Sequence, residues 1–424
     1  MSYLQWNLQA GSERRFQSGH PWIFSNELSR SPKGALPGQL VELRDSRGAF
    51  LARGYGNPHS LIAFRALTRD PSMDISAPGF LVDRVLQCWE RRKNLGLTPY
   101  SCRVVHGEAD DLPGLIIDRY LSASGDQVWV AQVHTAGIDR MIGDPVQFAE
   151  QIQNRIRELE ELRSFNFIFR NDVAVRKLEG ISEQEPAAVL NSGSVDLQSV
   201  PLLVPGFHGK PIAMKADLLH GQKTGFFLDQ VSNIHQLIRL LSSSKLSKRI
   251  RMVDLCTYVG HWSTQVAAAL QEKGISSSIT LVDASASALE FASFNAKQYA
   301  EEVHVLRGDV LKDLGQLPQG EFDVVICDPP AFIKNRKDLH PGEHAYLKLN
   351  EAAMRLAAPE SWLVSCSCSQ LLEEESLRRI LAKASRRSGR RFQFFARGTQ
   401  SPDHPVLAEF TESSYLKAWI GRSN

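Results

Sequence analysis

The chain has 424 residues, which is too long for one ordinary domain and favours two or three, each able to bury its own core. A hydrophobic share of 43% and a charged share of 23% are typical of globular proteins. No apolar run approaches the roughly 20 residues of a membrane span. The N-terminus lacks the apolar core of a secretory signal. These features predict a cytoplasmic protein without a membrane segment. The net charge of +2 does not indicate whether the protein binds nucleic acid, because such binding depends on local basic patches.

Two local basic patches are present. Residues 378–391 carry seven Lys or Arg and no acid, and residues 244–251 carry four. The commoner origin of one such patch is a solvated helix face or loop. The six cysteines show no CxxC spacing and no paired Cys/His pattern, so we expect reduced thiols, no disulfide framework and no metal site.

The first half of the chain has strand and helix patterns in alternation. Val41, Leu43, Phe50 and Ala52 alternate with polar residues around a turn at 45–48, which predicts a hairpin in a β-rich segment. Helical spacing follows over 83–95 and 145–159, with strands expected at 114–120, 127–133 and 165–170. Residues 186–211, rich in Ser, Pro and Gly, are typical of a linker. We therefore expect domains at 1–75, 76–195 and 196–424.

The last domain has a regular strand and helix alternation. Strands are expected at 252–256, 279–283, 303–309, 322–328 and 361–366, with helical patterns between the first three. This order predicts right-handed βαβ units and an α/β fold with a parallel sheet. Ligands of such sheets bind at the carboxyl ends of the strands.

Acidic residues stand at three consecutive strand ends. Asp254 precedes a turn with a single glycine, Gly260, where a dinucleotide site would need more glycines and no acid. An acid there suits a ligand with a cationic part and an amino-acid tail, such as S-adenosylmethionine. Asp283 could then accept from ribose hydroxyls, and Asp309 could face an adenine edge. One such aspartate is more often a helix N-cap, but three in succession favour a ligand site.

Two further strand ends carry the chemistry. Asp328 is followed by Pro329 and Pro330, which make a rigid extended loop that aims the carboxylate into the site. The fifth strand delivers Cys366, expected in the core, and Cys368, expected in the exposed turn. A thiolate at 368 could add to C6 of a pyrimidine and make C5 nucleophilic toward a sulfonium methyl group.

Several long motifs occur in one order along the chain: GHPWIFSNEL, ARGYGNP, HGEADDLPGLIIDRY, RNDVAVRKLEG, HGQKTGFFLDQ, DPPAF, SCS, DHPV and YLK. In this the chain resembles the bacterial 23S ribosomal RNA cytosine-C5 methyltransferases that carry an N-terminal PUA domain. The resemblance implies a Rossmann-like class I methyltransferase domain, preceded by a small β-rich PUA-like RNA-binding domain and an α+β middle domain. It also implies methyl transfer from S-adenosylmethionine to C5 of a cytosine in 23S ribosomal RNA.

The resemblance also assigns residues. Cys368 would be the covalent nucleophile, and Asp328 would hold the N3/N4 edge of the base. The predicted cofactor-binding residues are Phe226, Phe227, Asp229, Asp254, Tyr258, Gly260, Asp283, Asp309, Asp328 and Pro329. Lys334, Arg336 and Lys337 would contact RNA phosphates at the mouth of the site, with a solvated loop as the equal alternative. His261 and Trp262 stand where the family often has a second glycine, and their bulk would narrow the methionine-binding end.

Alternatives stay open at this level. Methylation of an exocyclic amine is less favoured, because the position after the proline pair is Ala331 rather than an aromatic residue, and because that chemistry needs no cysteine. Uracil-C5 methylation uses the same covalent logic. A non-catalytic RNA-binding assembly factor is the alternative from another class. The sequence does not show which nucleotide is modified or the oligomeric state.

Overall fold

The computed structural model describes residues 3–193 and 195–424, and the chain divides into two compact units. The first unit contains the residues up to Leu203, together with Asp217–Phe226 and Asp403–Ser413. The second contains Val204–Ala216, Phe227–Pro402 and Ser414–Asn424. The division into three domains at 75 and 195 stays a prediction. Within the described ranges, none of the helices has the length and apolar character needed to cross a membrane.

The N-terminal part of the first unit is a five-stranded sheet. Its strands are β1 (Leu4–Asn7), β2 (Trp22–Phe24), β3 (Gln39–Arg44), β4 (Phe50–Gly56) and β5 (Ile62–Thr68), in the order β1-β3-β4-β5-β2, with the short helix α1 (Glu13–Gln17) between β1 and β2. The predicted hairpin is confirmed, because β3 and β4 pair antiparallel around a turn in which Gly48 N donates to Asp45 O at 3.1 Å. Gly48 has a φ of 87°, which a residue without Cβ adopts easily.

A second five-stranded sheet completes the first unit. Its strands, in the sheet order β10-β9-β8-β7-β6, are β6 (Cys102–His106), β7 (Leu115–Leu121), β8 (Asp126–Val133), β9 (Ser164–Phe169) and β10 (Ala187–Leu190). The helices are α2 (Phe80–Asn94), α3 (Ala136–Ile142), α4 (Pro145–Leu159) and α5 (Val175–Leu178). Helix α4 begins where the sequence predicts, because Asp144 caps it by accepting from the Val146 and Gln147 amides.

The predicted linker at 186–211 contains secondary structure. Strand β10 falls inside it, and β11 (Val200–Pro205) and β12 (Pro211–Ala216) form a two-stranded sheet across its end. Ser, Pro and Gly do not prevent pairing at the edge of a sheet, where prolines can face away from the ladder. The change from the first unit to the second falls within this segment, between Leu203 and Val204.

The second unit is built on a seven-stranded sheet. Its strands are β13 (Arg249–Leu255), β14 (Ser276–Asp283), β15 (Glu302–Arg307), β16 (Phe322–Cys327), β17 (Ala357–Ser367), β18 (Phe392–Gly398) and β19 (Lys417–Ser423). The sheet order is β15-β14-β13-β16-β17-β19-β18. The first five in this order are parallel to one another, as predicted, whereas β19 runs antiparallel to both β17 and β18.

Helices cover both faces of this sheet. They are α6 (Val231–Ser242), α7 (His261–Glu272), α8 (Ala286–Ala296), α9 (Leu339–Leu356) and α10 (Glu374–Ser388). Alternate strand residues enter two separate apolar cores: Met252 and Ile326 pack with α6, α7 and α8, whereas Val253 and Cys327 pack with α9 and α10. This doubly wound arrangement opens a crevice at the carboxyl edge between β13 and β16, where the strand order reverses.

Residues 403–413 belong to the first unit although they come late in the chain. The Arg92 guanidinium makes two bonds to the Asp110 carboxylate, at 2.7 and 2.6 Å, and a third to the Asp403 carbonyl at 3.0 Å. Arg92 and Asp110 are both almost fully buried. The ring of Phe410 lies 4.6 Å from that of Trp22. A hydrogen bond from the buried Arg92–Asp110 ion pair and an aromatic contact thus hold this segment in the first unit.

Replacing Asp110 tests that ion pair. The substitution Asp110→Asn leaves the Arg92 charge buried without a carboxylate, so we expect the free energy of unfolding to fall by about 3 kcal/mol. The neighbouring Asp111 is exposed and lies 3.9 Å from Arg84 and from Arg91, so Asp111→Asn is the matched control and costs at most about 1 kcal/mol. Urea unfolding followed by tryptophan fluorescence measures both, and equal losses would contradict the assignment.

Candidate active site

The register of the parallel strands brings the predicted site residues to one edge. Leu255 of β13 pairs with Cys327 of β16, and Cys327 pairs with Ser365 of β17. Asp328 therefore follows β16 at the level at which β13 ends. Cys368 directly follows the last residue of β17, three residues beyond Ser365. The sequence placed these groups at strand ends, and the structure brings them together at the crevice.

The turn between β13 and α7 has an unusual backbone. Cys256, Tyr258 and Gly260 have φ angles of 61°, 49° and 79°. A Cβ on Gly260 would lie 3.1 Å from Ala292 Cα, so the turn approaches α8 as closely as a glycine allows. Non-glycine residues in this region of φ store strain and are most often found at ligand sites. The turn therefore marks the crevice as a binding site.

Two of the predicted cofactor aspartates border this turn. Asp254 is almost fully buried and accepts from Thr257 Oγ1 at 2.9 Å, and burial raises the pKa of its carboxyl to about 6. Its Oδ1 atom is buried and has no hydrogen-bond partner among the described residues. Asp283, at the end of β14, accepts from the amides of Tyr258 and Ser285, both at 2.9 Å.

These groups fit a cofactor that carries hydrogen-bond donors. A buried acceptor without a partner costs free energy, which a ligand donor at Asp254 Oδ1 would remove. A carboxylate offers about four lone-pair sites, so Asp283 can accept from ligand hydroxyls in addition to its two amide donors. The ring of Phe227 lies 4.9 Å from that of Tyr258 and adds an apolar wall. A nucleoside with a cationic tail satisfies this set of groups.

The residues in place of the second family glycine have structural roles. His261 Nδ1 donates to the Phe227 carbonyl at 3.0 Å, which fixes the tautomer, and its Nε2 accepts from Gln265 at 2.7 Å. Burial lowers the pKa of His261 to about 3, so the ring is neutral. Trp262 Nε1 donates to Asp328 Oδ2 at 3.0 Å. Both side chains thus fasten the start of α7 to neighbouring parts of the crevice.

Asp328 is held in one orientation and is partly protonated near neutral pH. Its Oδ2 atom accepts from Trp262 Nε1 and from Gln230 Nε2, the latter at 2.8 Å. Burial raises the pKa of its carboxyl to about 7 despite these two donors. The group can therefore donate a proton as well as accept hydrogen bonds at physiological pH.

The two serines around Cys368 are anchors. Ser367 Oγ donates to Tyr346 Oη at 2.9 Å, and Ser369 Oγ lies 2.9 Å from the same phenol. The Ile333 amide also donates to Ser369 Oγ at 3.1 Å. Both serines are buried and Cys368 between them is partly exposed. The Ser-Cys-Ser sequence thus fixes the loop to α9 and to the residues after the proline pair while leaving the thiol accessible.

Of the two neighbouring cysteines, Cys366 and Cys368, only Cys368 is partly exposed. Cys368 Sγ lies 3.9 Å from the Pro329 carbonyl. Cys366 is fully buried, as predicted, and so is Cys327; burial raises the pKa of each thiol well above its usual value. A buried neutral thiol is a poor nucleophile, so the geometry favours Cys368 for covalent chemistry.

Lys417 was missed by the sequence reasoning. It begins β19, opposite Ser367, and its Nζ donates to the Ser369 carbonyl at 2.7 Å. Burial lowers the pKa of the Lys417 ammonium to about 8, and the neighbouring Cys368 opposes that shift. Lys417 lies in the YLK motif quoted above, but no strand pattern in the sequence indicates that this motif pairs with the end of β17. A cation therefore stands beside the accessible thiol.

Other predicted cofactor residues have different surroundings. Phe226 is fully buried, belongs to the first unit, and its carbonyl lies 3.5 Å from Tyr120 Oη. Asp229 accepts from Tyr415 Oη at 2.6 Å. Asp309 stands two residues beyond the end of β15, partly exposed, in an ion pair with Lys312 at 2.8 Å. Their roles toward a cofactor stay predictions.

The predicted RNA contacts form an exposed loop. Lys334, Arg336 and Lys337 are all exposed, in the segment between the proline pair and α9. Asn335 and Asp338 cap each other's backbone around the short 3-10 helix Arg336–Asp338, which gives the loop a defined shape. No ion pair joins these three cations to a carboxylate in the described part of the chain. They are available for a phosphate.

Comparison with known proteins agrees with this geometry. Residues 7–69 match a family described as a PUA-like domain, and residues 246–404 match one described as a methyltransferase domain. Two curated proteins described as Ribosomal RNA large subunit methyltransferase I, from Escherichia coli strains SMS-3-5 and K12, are 33% and 32% identical, over 98% of this chain and of each relative.

Solved structures also align over the full chain. A putative SAM-dependent methyltransferase from Streptococcus mutans superimposes with a TM-score of 0.72 at 16% identity, covering 99% of this chain and 100% of its own. A putative methyltransferase complexed with SAH gives 0.73 at 17% identity, covering 100% of both chains. At these identities the match shows the fold alone.

The doubly wound sheet with acids at its strand ends is that of the class I S-adenosylmethionine-dependent methyltransferases. Within that class, the chain belongs to the ribosomal RNA large subunit methyltransferase I family. Its PUA-like domain and Rossmann-like methyltransferase fold are as the sequence predicts.

The raised pKa of Asp328 predicts a pH-dependent effect on stability. The native state holds a proton on Asp328 up to about pH 7, whereas the unfolded carboxyl loses it near 3.8, so wild-type stability falls as pH rises between these values. Asp328→Asn removes that loss. We therefore expect the variant to gain stability relative to wild type from about pH 4 to 7, by roughly a few kcal/mol.

Asp309→Asn is the control of opposite sign. Its ion pair with Lys312 lowers the pKa of Asp309, so that its charge stabilises the native state above the usual carboxyl pKa. The control variant should lose a similar amount of stability at pH 4, 6 and 8, because the lowered pKa keeps Asp309 charged in the native state over this range. Urea unfolding at pH 4, 6 and 8 without cofactor measures both. A pH-independent difference for Asp328→Asn would contradict the raised pKa.

We expect the positive charge of Lys417 to increase the reactivity of the Cys368 thiol. A nearby cation favours a thiolate, so Lys417→Met should slow alkylation of Cys368 by iodoacetamide roughly 3- to 10-fold at pH 7. The difference should shrink above pH 8, because Lys417 is then neutral in the wild type. Lys417→Arg keeps the charge and is the control. Peptide mass spectrometry follows the reaction, and equal rates for wild type and Lys417→Met at pH 7 would contradict the role.

Proposed function

We propose that this protein transfers a methyl group from S-adenosylmethionine to C5 of a cytosine in 23S ribosomal RNA, through a covalent adduct with Cys368. The observation that carries the proposal is the accessible thiol of Cys368, held between two anchored serines at the crevice that also contains Asp328. Relatives 33% identical over nearly the whole chain, described as ribosomal RNA large subunit methyltransferases, support ribosomal RNA as the substrate.

The cofactor supplies an electrophilic methyl group on a sulfonium. The residues of the crevice would bind and orient it: Asp254 through its unpartnered Oδ1, Asp283 through its free lone pairs, and the strained turn through close backbone approach. Phe227 and Tyr258 would exclude water from one side. The acidic surroundings favour a positively charged ligand over its neutral product, which assists product release.

Cys368 would begin the reaction as a thiolate. Its sulfur forms a bond to C6 of the base, and the electron pair of the C5–C6 double bond moves toward C5 and N3. C5 then takes the methyl group, a base removes the C5 proton, and the C6–S bond breaks to restore the double bond and the thiolate. Lys417 would stabilise the thiolate at the first and last steps.

Asp328 has the protonation state that this addition needs. Negative charge develops at N3 of cytosine as the sulfur adds, and a carboxyl with a pKa of about 7 can donate to N3 while its other oxygen accepts from the N4 amine. Trp262 and Gln230 hold the carboxyl in place by bonds to Oδ2. In its protonated form the same residue would favour cytosine over uracil, whose N3 carries a proton and cannot accept.

The other candidate functions explain less of the site. Exocyclic-amine methylation has no use for an accessible thiol beside a lysine, and Ala331 is not the aromatic residue that would stack on the base. A non-catalytic assembly factor has no use for a buried carboxylate with an unpartnered oxygen at the cofactor turn.

The target base must leave its stack to reach Cys368, at a cost of roughly a few kcal/mol, so we expect an unpaired or flipped nucleotide.

A trapping experiment tests the covalent step. In 23S transcripts that contain 5-fluorocytidine, the fluorine at C5 cannot leave as a proton does, so the adduct persists. With S-adenosylmethionine present, we expect a denaturation-resistant protein–RNA complex with wild type, none with Cys368→Ala, and retention with Cys366→Ala, whose thiol is buried. Transcripts with 5-fluorouridine should give none, and trapping on these instead would favour uracil.

Bisulfite sequencing of 23S RNA from cells with and without the gene locates the product. A cytosine that resists conversion only when the gene is present supports the proposal. Undiminished methyl transfer by Cys368→Ala would contradict the covalent mechanism, and transfer to an exocyclic amine would contradict the position on the base.

A further inference from the structure

A basic groove follows α9 on one face of the methyltransferase sheet; its other wall is α10 at one end, and residues 310–319 with Arg387 of α10 at the other. It consists of two clefts of about 620 and 260 Å³ that share His344. The basic side chains that line it are Lys312, His340, His344, Lys348, Arg355, Arg379, Lys383 and Arg387. Glu343 and Glu351 are the acids among the lining residues of these clefts. We call this feature the α9/α10 groove.

The basic residues form two facing stripes. His340, His344 and Lys348 follow one another at intervals of four residues along α9, which places them on one side of that helix. Arg379, Lys383 and Arg387 repeat the same spacing along α10. All six basic side chains of the two stripes are exposed. Like charges four residues apart slightly destabilise a helix, and an anionic partner along the stripe on α10 would offset that repulsion.

Some of these cations have a structural partner and others have none. Arg355 pairs with Glu351 at 2.6 Å and Lys312 pairs with Asp309 at 2.8 Å. Arg387 lies in the last turn of α10, where a cation complements the helix dipole. In contrast, no carboxylate of the described residues forms an ion pair with Lys348 or Lys383. The central cations of the groove are therefore available to a ligand.

The groove starts at the catalytic edge of the sheet. Helix α9 begins at Leu339, directly after the exposed loop with Lys334, Arg336 and Lys337, and α10 begins shortly after Cys368. Both helices then run toward the opposite edge. The 18 residues of α9 span about 27 Å at 1.5 Å per residue, roughly the length of eight stacked nucleotides in one strand. A strand that enters at the loop can continue along the groove.

We propose that the α9/α10 groove binds the sugar-phosphate backbone of the RNA that flanks the modified nucleotide. This inference rests on the proposed function and adds a path for the substrate beyond the catalytic mouth. Phosphate contacts position a nucleic acid without reading its sequence, and they make binding depend on salt. The groove would therefore set affinity for RNA and leave the choice of base to the crevice.

The test removes three cations from the groove. The triple variant Lys348→Ala, Arg379→Ala, Lys383→Ala takes none of its residues from the catalytic or cofactor sites. We expect its binding to 23S transcripts to weaken at least 10-fold at low salt. The slope of log affinity against log salt should flatten by about 2, because each phosphate contact contributes roughly 0.7 to 0.9. The KM for RNA should rise with little change in kcat, and the affinity for S-adenosylmethionine should stay unchanged.

A matched triple variant removes three exposed lysines of the same unit that lie outside both basic patches: Lys210→Ala, Lys273→Ala, Lys297→Ala. This control should keep the wild-type salt slope and KM. An equal effect of both triples would overturn the proposal, because net charge alone would then explain the binding. A groove variant with wild-type salt slope and KM would also overturn it and would point to an acidic protein surface as the ligand.

The failure of the proposed function would look different. In that case the wild-type protein itself would transfer no methyl group to 23S transcripts, whatever the state of the groove. Thermal unfolding of the groove variant serves as the check on folding, and we expect a midpoint at or above that of wild type, because the repulsion between Arg379 and Lys383 is removed.

Discussion

The parallel register of β13, β16 and β17 is the constraint on which the site depends. Because Leu255, Cys327 and Ser365 stand at one level across the three strands, each strand releases its next residues into the same crevice. Asp254, Asp328 and Cys368 are far apart in the chain and meet only through this register. A shift of one residue in any of these strands would exchange its core and crevice faces and turn the functional side chain away.

The sheet and its ligand-binding edge could be predicted from the sequence, because buried parallel strands have a distinct apolar pattern. Short apolar runs that end in Asp or Cys, separated by helical patterns, indicate both the sheet and its ligand edge. Cys366 could be assigned to the core from its place in an apolar strand, whereas the exposure of Cys368 depended on where that strand ends, which alternation does not show. The motifs shared with a known family then added the donor and the target, which no periodicity could supply.

What the sequence could not give are contacts that depend on long-range pairing. Strands β18 and β19 have mixed composition, and only the antiparallel placement of β19 beside β17 brings Lys417 to Cys368. The bond from Trp262 to Asp328 likewise joins residues 66 apart. The sequence predicted only that the large side chains of His261 and Trp262 would narrow the methionine-binding end. In the structure their hydrogen bonds fix the start of α7 to the Phe227 carbonyl and to Asp328. Composition also gave no sign of the strands within 186–211, because edge strands tolerate Ser, Pro and Gly.

The position of β19 has a consequence for how the protein is made. This strand comes last among the described elements, yet it lies between β17 and β18 inside the sheet. The first unit likewise incorporates residues 403–413. Neither unit can therefore reach its final packing during synthesis until residues 403–423 have left the ribosome. A translation product that stops before β19 would leave β17 with an unpaired edge and lack Lys417, so we expect it to be prone to aggregate.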